Sequence, residues 1–309
     1  MKTAIITKLT APAAAMREKL TGTAAAKRET LTALAAVMPM YIFTVSFIAG
    51  PLIYMLVMSF LTRDESWGLT TVLTYRNYLH ILEPVYLETF KQSIRLALIT
   101  TVFTVLAGYP AGFFMAKLPA RQREICMLFL VIPFWTSSLM RMYGWIIVFR
   151  ANGSLDSILM WLGVTNEPLK LLYTYPAVAV GMIYALLPFM IYSVYASAEK
   201  MDWGLVEAAR DLGASPVKAF LTVSLPLTIP GLYSGIVLTF IPSMGLYFIA
   251  DILGGNKVVL VGNLIHEQLM RAHNWPFAAA LSVILMIMTT MFLFLYRKLS
   301  RSDKLEGLV

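Results

Sequence analysis

The sequence predicts an all-α integral membrane protein with six transmembrane helices, and its composition and the length of its apolar runs are the reasons. Of 309 residues, 59% are hydrophobic and 14% charged, with a mean hydropathy of +0.72. Soluble domains carry roughly 25% charged residues. Apolar runs of about twenty residues match the length that an α-helix needs to cross the hydrocarbon core. This composition excludes an ordinary soluble enzyme, a disordered tail and a disulfide scaffold; we expect the single cysteine, Cys126, to be a buried, inert thiol.

Six stretches are long and apolar enough to span a bilayer. They lie at residues 34–61, 93–118, 125–149, 174–198, 225–250 and 277–296. Proline and glycine interrupt most of them, which membrane helices tolerate because neighbouring helices satisfy the freed backbone groups. The chain therefore divides into an N-terminal extension (1–33), a six-helix membrane domain (34–300) and a tail (301–309).

The distribution of cations predicts the orientation. Sixteen Lys and Arg residues fall in the N-terminal segment, the segments after the second and fourth spans, and the tail, against seven in the alternate segments. Cytoplasmic segments carry the excess of cations, so both termini are expected in the cytoplasm. The net charge of +8 is thereby explained without nucleic acid.

The polar segment after the fourth span predicts two short helices joined by a bend. Residues 203–212 are good helix formers, and Gly213 suits the left-handed position just past a helix end. Ser215 can then cap the next helix, with Pro216 in its first turn. We expect Pro226 to interrupt the chain near the start of the fifth span.

The same segment contains one long motif, E-A-A-x3-G-x9-I-x-L-P, with Val223 in place of isoleucine. It resembles the cytoplasmic EAA loop of ABC importer permeases, here the EAA loop at 199–224. In that family the loop forms coupling helices that dock into a cleft of the ATPase. The resemblance therefore implies an ATPase-coupling role for six residues: Glu207, Ala208, Ala209, Asp211, Gly213 and Pro226. The alternative is a well-capped connection with no partner.

Further stretches resemble the polyamine branch of these permeases, and the resemblance covers about residues 34–300. They are residues 59–64, 132–136, 141–144, 159–164, 187–190, 251–255 and 274–277. The resemblance implies uptake of spermidine or putrescine by alternating access in a bacterial cytoplasmic membrane. It also implies a second, homologous permease subunit, an ATPase homodimer that holds ATP and Mg²⁺, and an extracytoplasmic polyamine-binding protein. This chain itself is expected to bind no cofactor.

A path for a polycation should offer carboxylates for its ammonium groups and aromatic faces for cation–π and methylene contacts. The sequence offers a small set of candidates near span-breaking prolines and span ends: Trp135, Tyr143, Trp145, Tyr247 and Asp251. The alternative is that the aromatic residues are interfacial anchors and that Asp251 is solvated. Glu83 and Glu88 are expected to be solvated or to lie on a docking surface for the binding protein.

Arg141 lies within the third predicted span, where a guanidinium must face protein or water. We expect it to form a structural pair, for example with a carboxylate of a partner subunit; gating is the alternative hypothesis. Two glycine pairs, Gly108/Gly112 and Gly231/Gly235, have the spacing that lets helices approach closely. They are expected to serve packing rather than substrate contact.

Several motifs are absent, and their absence limits the function. The sequence contains no P-loop, no nucleophile elbow and no H-E-x-x-H zinc motif. If transport is active, we expect ATP to be hydrolysed by another polypeptide. His80, His266 and His273 lack metal-ligand spacing, and no metal is expected. An ion-coupled secondary transporter would need intramembrane acids and internal repeats. The remaining alternative is a related permease for another small cation or organic solute.

Overall fold

The computed structural model describes residues 37–64 and 69–306, so the predicted extension at 1–33 lies outside the described residues. By its internal contacts the chain divides into two units, Met1–Val57 and Met58–Val309. Nearly all of helix α1 (Val37–Ser59) belongs to the first unit. Its 23 residues are enough to span a bilayer, and its large apolar side chains are exposed, as suits a helix surrounded by lipid or protein.

The second unit consists mainly of helices, with four long ones and several short ones. In chain order, the strands and α-helices of this unit are β1 (Leu61–Arg63), β2 (Leu69–Leu73), α2 (Arg76–Ile81), α3 (Pro84–Lys117), α4 (Ala120–Val131), α5 (Ser138–Phe149), α6 (Ser154–Trp161), α7 (Tyr175–Glu199), α8 (Gly204–Asp211), α9 (Pro216–Gly245), α10 (Tyr247–Ile249), α11 (Val261–Met270) and α12 (Trp275–Glu306). The predicted all-α class holds except for the two strands.

The two strands form an antiparallel pair that the sequence reasoning missed. Leu61 pairs with Leu73 and Arg63 with Leu69, with a bulge after Leu61. The Asn77 amide of α2 donates to the carbonyls of Ser59 and Leu61, both at 2.9 Å, and so joins α2 to the segment that leads into β1. Strands of three and five residues are too short to leave a clear alternating pattern in the sequence.

Five helices of the described chain are long and apolar enough to cross a membrane, or six if one bent pair counts as a single span. The bent pair lies at the third predicted span, and it breaks near Pro133, which the sequence identified as a span-breaking proline. Helix α4 runs into a 3₁₀ turn at Ile132–Trp135, and the chain then turns by 95° into α5 and α6. Pro133 within that turn has no N–H for the helical ladder, which explains the break.

The prediction that Pro226 interrupts the chain near the start of the fifth span is wrong. Helix α9 continues without a break, because a π-helical turn at Phe220–Ser224 immediately precedes Leu225 and Pro226. The Leu225 N–H donates to the Phe220 carbonyl, five residues back. The widened turn shifts the hydrogen-bond register just before a residue that cannot donate, so the helix axis continues.

Helix α7 lies between α3 and α9, and glycines allow the contact on both sides. Met190 of α7 is fully buried between Gly108 of α3 and Gly235 of α9. A Cβ at Gly108 would lie 2.6 Å from Met190 Cγ, and one at Gly235 would collide with Met190 Sδ. The predicted packing role of the glycine pairs is therefore confirmed, and it sets the distance between three membrane helices.

We expect Gly112→Ala to destabilise the protein by about 1–3 kcal/mol, as overpacking does in other cores. The new Cβ would lie 2.5 Å from the backbone oxygen of Ile191, which cannot rotate away. Gly144→Ala is the matched control, because a Cβ there meets nothing within 4 Å. Thermal unfolding in detergent should show a lower midpoint for Gly112→Ala alone; equal midpoints for the two variants would contradict this packing.

Candidate functional site

The EAA loop forms an exposed helix–turn–helix on the membrane helices. Trp203, just before α8, and Val206 within it pack on the core cluster that contains Phe113. Glu207 and Asp211 lie on its exposed side. Ala208 is also exposed and Ala209 is half-buried, so small side chains separate the charged face from the inner face. This arrangement leaves the acidic face available to a second polypeptide.

The turn after α8 has the predicted geometry. Gly213 has a φ of +86°, and its N–H donates to the Arg210 carbonyl at 2.9 Å. The Ala214 N–H closes a wider loop to the Ala209 carbonyl at 3.0 Å, as in a glycine-terminated helix. The Ser215 hydroxyl then accepts from the Lys218 N–H at 3.3 Å and caps the next helix. Both local predictions, the left-handed glycine and the serine cap, are confirmed.

Large apolar side chains around this turn are exposed, which sequence reasoning did not single out. Leu212 is 90% exposed, and Leu205, Val217 and Leu221 are each about half exposed or more. Exposed apolar residues grouped beside charges are typical of a surface that another protein covers. Aliphatic residues within an otherwise polar loop are the sequence signal that could have identified this exposed apolar surface.

Two side-chain contacts anchor the EAA loop to the helices beneath it. The Lys117 ammonium at the end of α3 lies 4.7 Å from the Phe113 ring centre and 5.2 Å from that of Trp203. Arg123 of α4 pairs with Glu199 of α7 at 3.2 Å. The loop therefore contacts the ends of α3, α4 and α7.

A cavity of about 580 Å³, the Asp251 cavity, lies beyond the other end of α9. Tyr143 and Asp251, two of the predicted path residues, both line it. Asn263 is buried, and its amide donates to Asp251 Oδ1 at 2.5 Å, which orients the carboxylate. Helix α9 begins within the EAA loop, and the 21 residues Leu225–Gly245, a length of ~32 Å, separate the end of the loop from this cavity.

The other three predicted path residues lie outside the lining of this cavity. Trp145 packs in the core, stacked on Phe149 at 4.9 Å. Trp135 is 78% exposed at the bend of the third span. Tyr247 stacks on His266 at 4.6 Å. The structure thus brings together two of the five candidates, and the substrate contacts of all five stay predictions.

Tyr173 also lines the Asp251 cavity, and sequence reasoning missed it. Its φ of +63° is rare for a residue with a side chain, and its N–H donates to the Leu253 carbonyl at 2.9 Å. A Cβ on Gly255 would lie 2.9 Å from its ring, so Gly255 makes room for the tyrosine. A second cavity of about 460 Å³, the Glu88 cavity, adjoins the same ring. Left-handed backbone at a cavity wall is typical of functional sites.

Arg141 lies at the bend of the third span and donates to groups of that bend. It donates to the carbonyls of Pro133 and Thr136, the latter at 2.9 Å, and to the Ser138 hydroxyl at 3.0 Å. Its guanidinium carbon also lies 5.4 Å from the Phe134 ring centre. The expected structural role is therefore supported, but with carbonyls of the broken helix as its acceptors instead of the suggested partner carboxylate. The Pro133 carbonyl also accepts from the Thr136 N–H at 3.3 Å, so Arg141 adds a second donor to the turn at the break.

The structure also shows the surroundings of Cys126, Glu83 and Glu88. Cys126 is half-buried, in an apolar groove of about 390 Å³, rather than fully buried. Glu83 pairs with His80 at 2.6 Å, and Glu88 lies 3.8 Å from Lys91. Among the residues that the structure describes, no three His, Cys, Asp or Glu side chains are grouped to hold a metal ion. The expectation of no metal stays a prediction.

Comparison with known proteins agrees with this architecture. Residues 108–302 match the family described as the binding-protein-dependent transport system inner membrane component. The chain belongs to this family. The permease is 42% identical over 257 residues to the spermidine/putrescine transport system permease protein PotB of Escherichia coli strain K12, covering 83% of this chain and 94% of that one.

Two further comparisons bear on the family and the fold of the permease. It is 39% identical to PotB of Haemophilus influenzae, over 85% of this chain and 93% of that one. A chain of the bacterial alginate ABC transporter, solved with an alginate-bound periplasmic protein, superposes with a TM-score of 0.73. That match covers 89% of the permease and 96% of the solved chain at 14% identity, and it shows a shared fold.

We expect Arg141→Met to destabilise the bend by about 1–3 kcal/mol, because it removes the charged hydrogen-bond donor shared by the Pro133 and Thr136 carbonyls. Ser138→Ala is the matched control, since it removes one acceptor of Arg141 and leaves the two carbonyl contacts. The uptake rate and the midpoint temperature of thermal unfolding should both fall for Arg141→Met and change little for Ser138→Ala. Normal assembly and uptake by Arg141→Met would contradict the structural role.

Replacement of Gly213 tests the effect of backbone conformation without steric crowding, because an added Cβ meets nothing within 4 Å. Gly213→Val should lower uptake per ATP hydrolysed several-fold, since a β-branched residue strains a left-handed backbone by about 1–2 kcal/mol. Gly213→Asn is the control, because asparagine adopts this conformation readily. The measurement is ATP hydrolysis and uptake in the reconstituted transporter, and equal ratios for both variants would refute the role of the turn.

Proposed function

We propose that this permease is the polyamine-conducting subunit of an ATP-driven importer that works by alternating access. The observation that carries the proposal is α9, which joins the exposed EAA loop at one end to the Asp251 cavity beyond the other. A helix that ends at both places can convert movement of the loop into a change of access at the cavity. The chain would act as a transport subunit, and its residues would carry no bond chemistry.

The polyamine assignment is supported by the relatives and by the chemistry of the cavity. Relatives named for spermidine/putrescine transport match across nearly their whole length. Asp251 supplies a carboxylate oriented by Asn263, while Tyr143 and Tyr173 supply aromatic faces. Ammonium groups pair with the former, and methylene spacers and cations contact the latter.

The proposed assembly follows the resemblance of the EAA loop. A second, homologous permease subunit completes the path, and an ATPase homodimer binds ATP and Mg²⁺. The acidic face of α8 with Glu207 and Asp211, together with the exposed leucines beside it, meets the ATPase. An extracytoplasmic polyamine-binding protein delivers the substrate, and no cofactor or nucleic acid binds this chain.

The proposed orientation places both termini and the EAA loop in the cytoplasm, as the excess of cations favours. The Asp251 cavity then lies toward the outer side. ATP-driven closure of the ATPase dimer pushes on α8, and the helix ends beneath it move together. The permease pair opens outward, accepts a polyamine, and releases it inward after hydrolysis.

The test is uptake of radiolabelled spermidine and putrescine into cells that lack other polyamine transporters. Deletion of this chain should abolish uptake and the wild-type chain should restore it. Glu207→Lys should insert in the membrane but restore less than about a tenth of the rate, because it reverses a charge at the proposed contact with the ATPase. Glu124→Lys, an exposed charge reversal on α4 outside the loop, should restore uptake.

The outcomes separate substrate from coupling. Unchanged polyamine uptake after deletion would remove polyamines as the substrate and favour another small cation or organic solute carried by the same permease. Full rescue by Glu207→Lys would instead refute the contact between α8 and the ATPase while leaving the substrate in place.

A further inference from the structure

Asp156 of α6 is the one buried charged side chain among the residues that the structure describes, with 2% of its surface exposed. Its Oδ2 accepts from the Asn152 N–H at 3.0 Å, and its Oδ1 accepts from the Leu169 N–H at 3.2 Å. Burial of a carboxylate is costly unless hydrogen bonds satisfy it. Here one carboxylate joins the beginning of the segment between α5 and α7 to a residue near its end.

The stretch after α6 has few other restraints. From residue 165 to residue 171, Leu169 is the one residue whose backbone N–H has a hydrogen-bond partner in the structure. The side chains of Leu171 and Leu172, at the end of the stretch, pack on the core cluster that contains Phe149. The bond to Asp156 therefore fixes the position at which the run toward Tyr173 begins.

The run from Leu169 to Tyr173 has an unusual backbone. Lys170 has a φ of +48° and Tyr173 a φ of +63°. Residues with side chains keep such conformations where surrounding contacts impose them. The first of these two turns lies between two hydrogen bonds, one from the Leu169 N–H to the carboxylate and one from the Leu172 N–H to the Phe149 carbonyl at 3.1 Å. Without the first bond, Lys170 can return to a negative φ, and the chain that leads to Tyr173 then changes direction.

We propose that Asp156 is a positioning residue of the transport path, whose carboxylate keeps the Tyr173 ring in the wall shared by the Asp251 cavity and the Glu88 cavity. Tyr173 lines both cavities, and Asp156 lines neither. The inference rests on the proposed polyamine function and deepens it, because Asp156 acts on the substrate only through Tyr173.

The two acceptor positions explain why this residue is an aspartate. Each carboxylate oxygen accepts from one backbone N–H. An asparagine has the same shape, but its NH₂ group would face one of these N–H groups, so one of the two bonds would be lost. Asp156→Asn is therefore the variant that weakens the bridge with the least change in volume.

The first measurement is hydrogen–deuterium exchange, followed by mass spectrometry, of the purified complex of permeases and ATPase. In Asp156→Asn, peptides that contain residues 169–173 should exchange about fivefold faster, as expected for the loss of one ordinary hydrogen bond. Two matched controls should exchange like the wild type. Ser157→Ala removes a hydroxyl bond of the same helix, and Glu167→Gln removes an exposed acid of the same segment.

The second measurement is the Kd of radiolabelled spermidine for the same complexes. Asp156→Asn should raise the Kd about two- to fivefold, because the contact of an ammonium group with the Tyr173 ring is lost. Tyr173→Ala should raise it to a similar extent, and the double variant should show no further increase, since both changes remove one contact. A general effect on folding would instead lower the number of binding sites and leave the Kd unchanged.

Asp156→Ser is the second variant, because its rotatable hydroxyl can accept from one N–H without presenting a fixed donor to the other. Wild-type exchange at residues 169–173, or additive effects of Asp156→Asn and Tyr173→Ala on the Kd, would overturn the positioning role. Failure of both Asp156 variants to assemble would also overturn it, since the residue would then be needed by the whole fold. A wild-type complex that binds no spermidine would refute the proposed function, while the exchange rates would still decide whether Asp156 holds the run to Tyr173.

Discussion

The close approach of α7 to α3 and α9 is the constraint on which the rest of the second unit depends. Met190 fills the space between Gly108 and Gly235, and a side chain at either glycine would push a membrane helix away. In a bilayer, apolar residues gain little by leaving lipid, so helix association rests on close packing of this kind. The Tyr109 hydroxyl lies 2.7 Å from that of Thr228 and adds a hydrogen bond between α3 and α9. The three helices therefore form a base that supports both functional regions.

The third span departs from this regular packing, and the departure has a local explanation. Pro133 breaks the helix, and Arg141 donates to the Pro133 and Thr136 carbonyls at the break. A guanidinium in a membrane span is costly unless its donors are satisfied. Here the carbonyls at the bend and the Ser138 hydroxyl accept from the guanidinium. The bend then allows α5 to present Tyr143 at the Asp251 cavity while Trp145 packs in the core.

The EAA loop and the two cavities differ in their backbone structure. The loop exposes a regular, well-capped helix with acidic and aliphatic side chains, which suits contact with a folded partner. The cavities are bordered by irregular backbone, with left-handed Tyr173 and Gly255 and a π-helical turn that contains Asp251. Non-helical backbone at membrane depth is tolerated where it lines a cavity, and transport sites are built in this way. Helix α9 connects the regular surface to the irregular one.

The sequence by itself determined the membrane class, the approximate spans, the turn at Gly213 and the packing role of the glycine pairs. These features depend on residues close together in the chain: hydropathy over about twenty residues, or φ preferences at one position. The tertiary structure decided the 95° bend, the continuity of α9 past Pro226, the partners of Arg141 and the meeting of Tyr143, Tyr173, Asp251 and Lys257. A proline has the same local chemistry whether the helix breaks, as at Pro133, or adopts a π turn, as before Pro226. Likewise, no local pattern links residues about a hundred positions apart, because only the packing of α5, α7 and the segment after α9 brings them to one cavity.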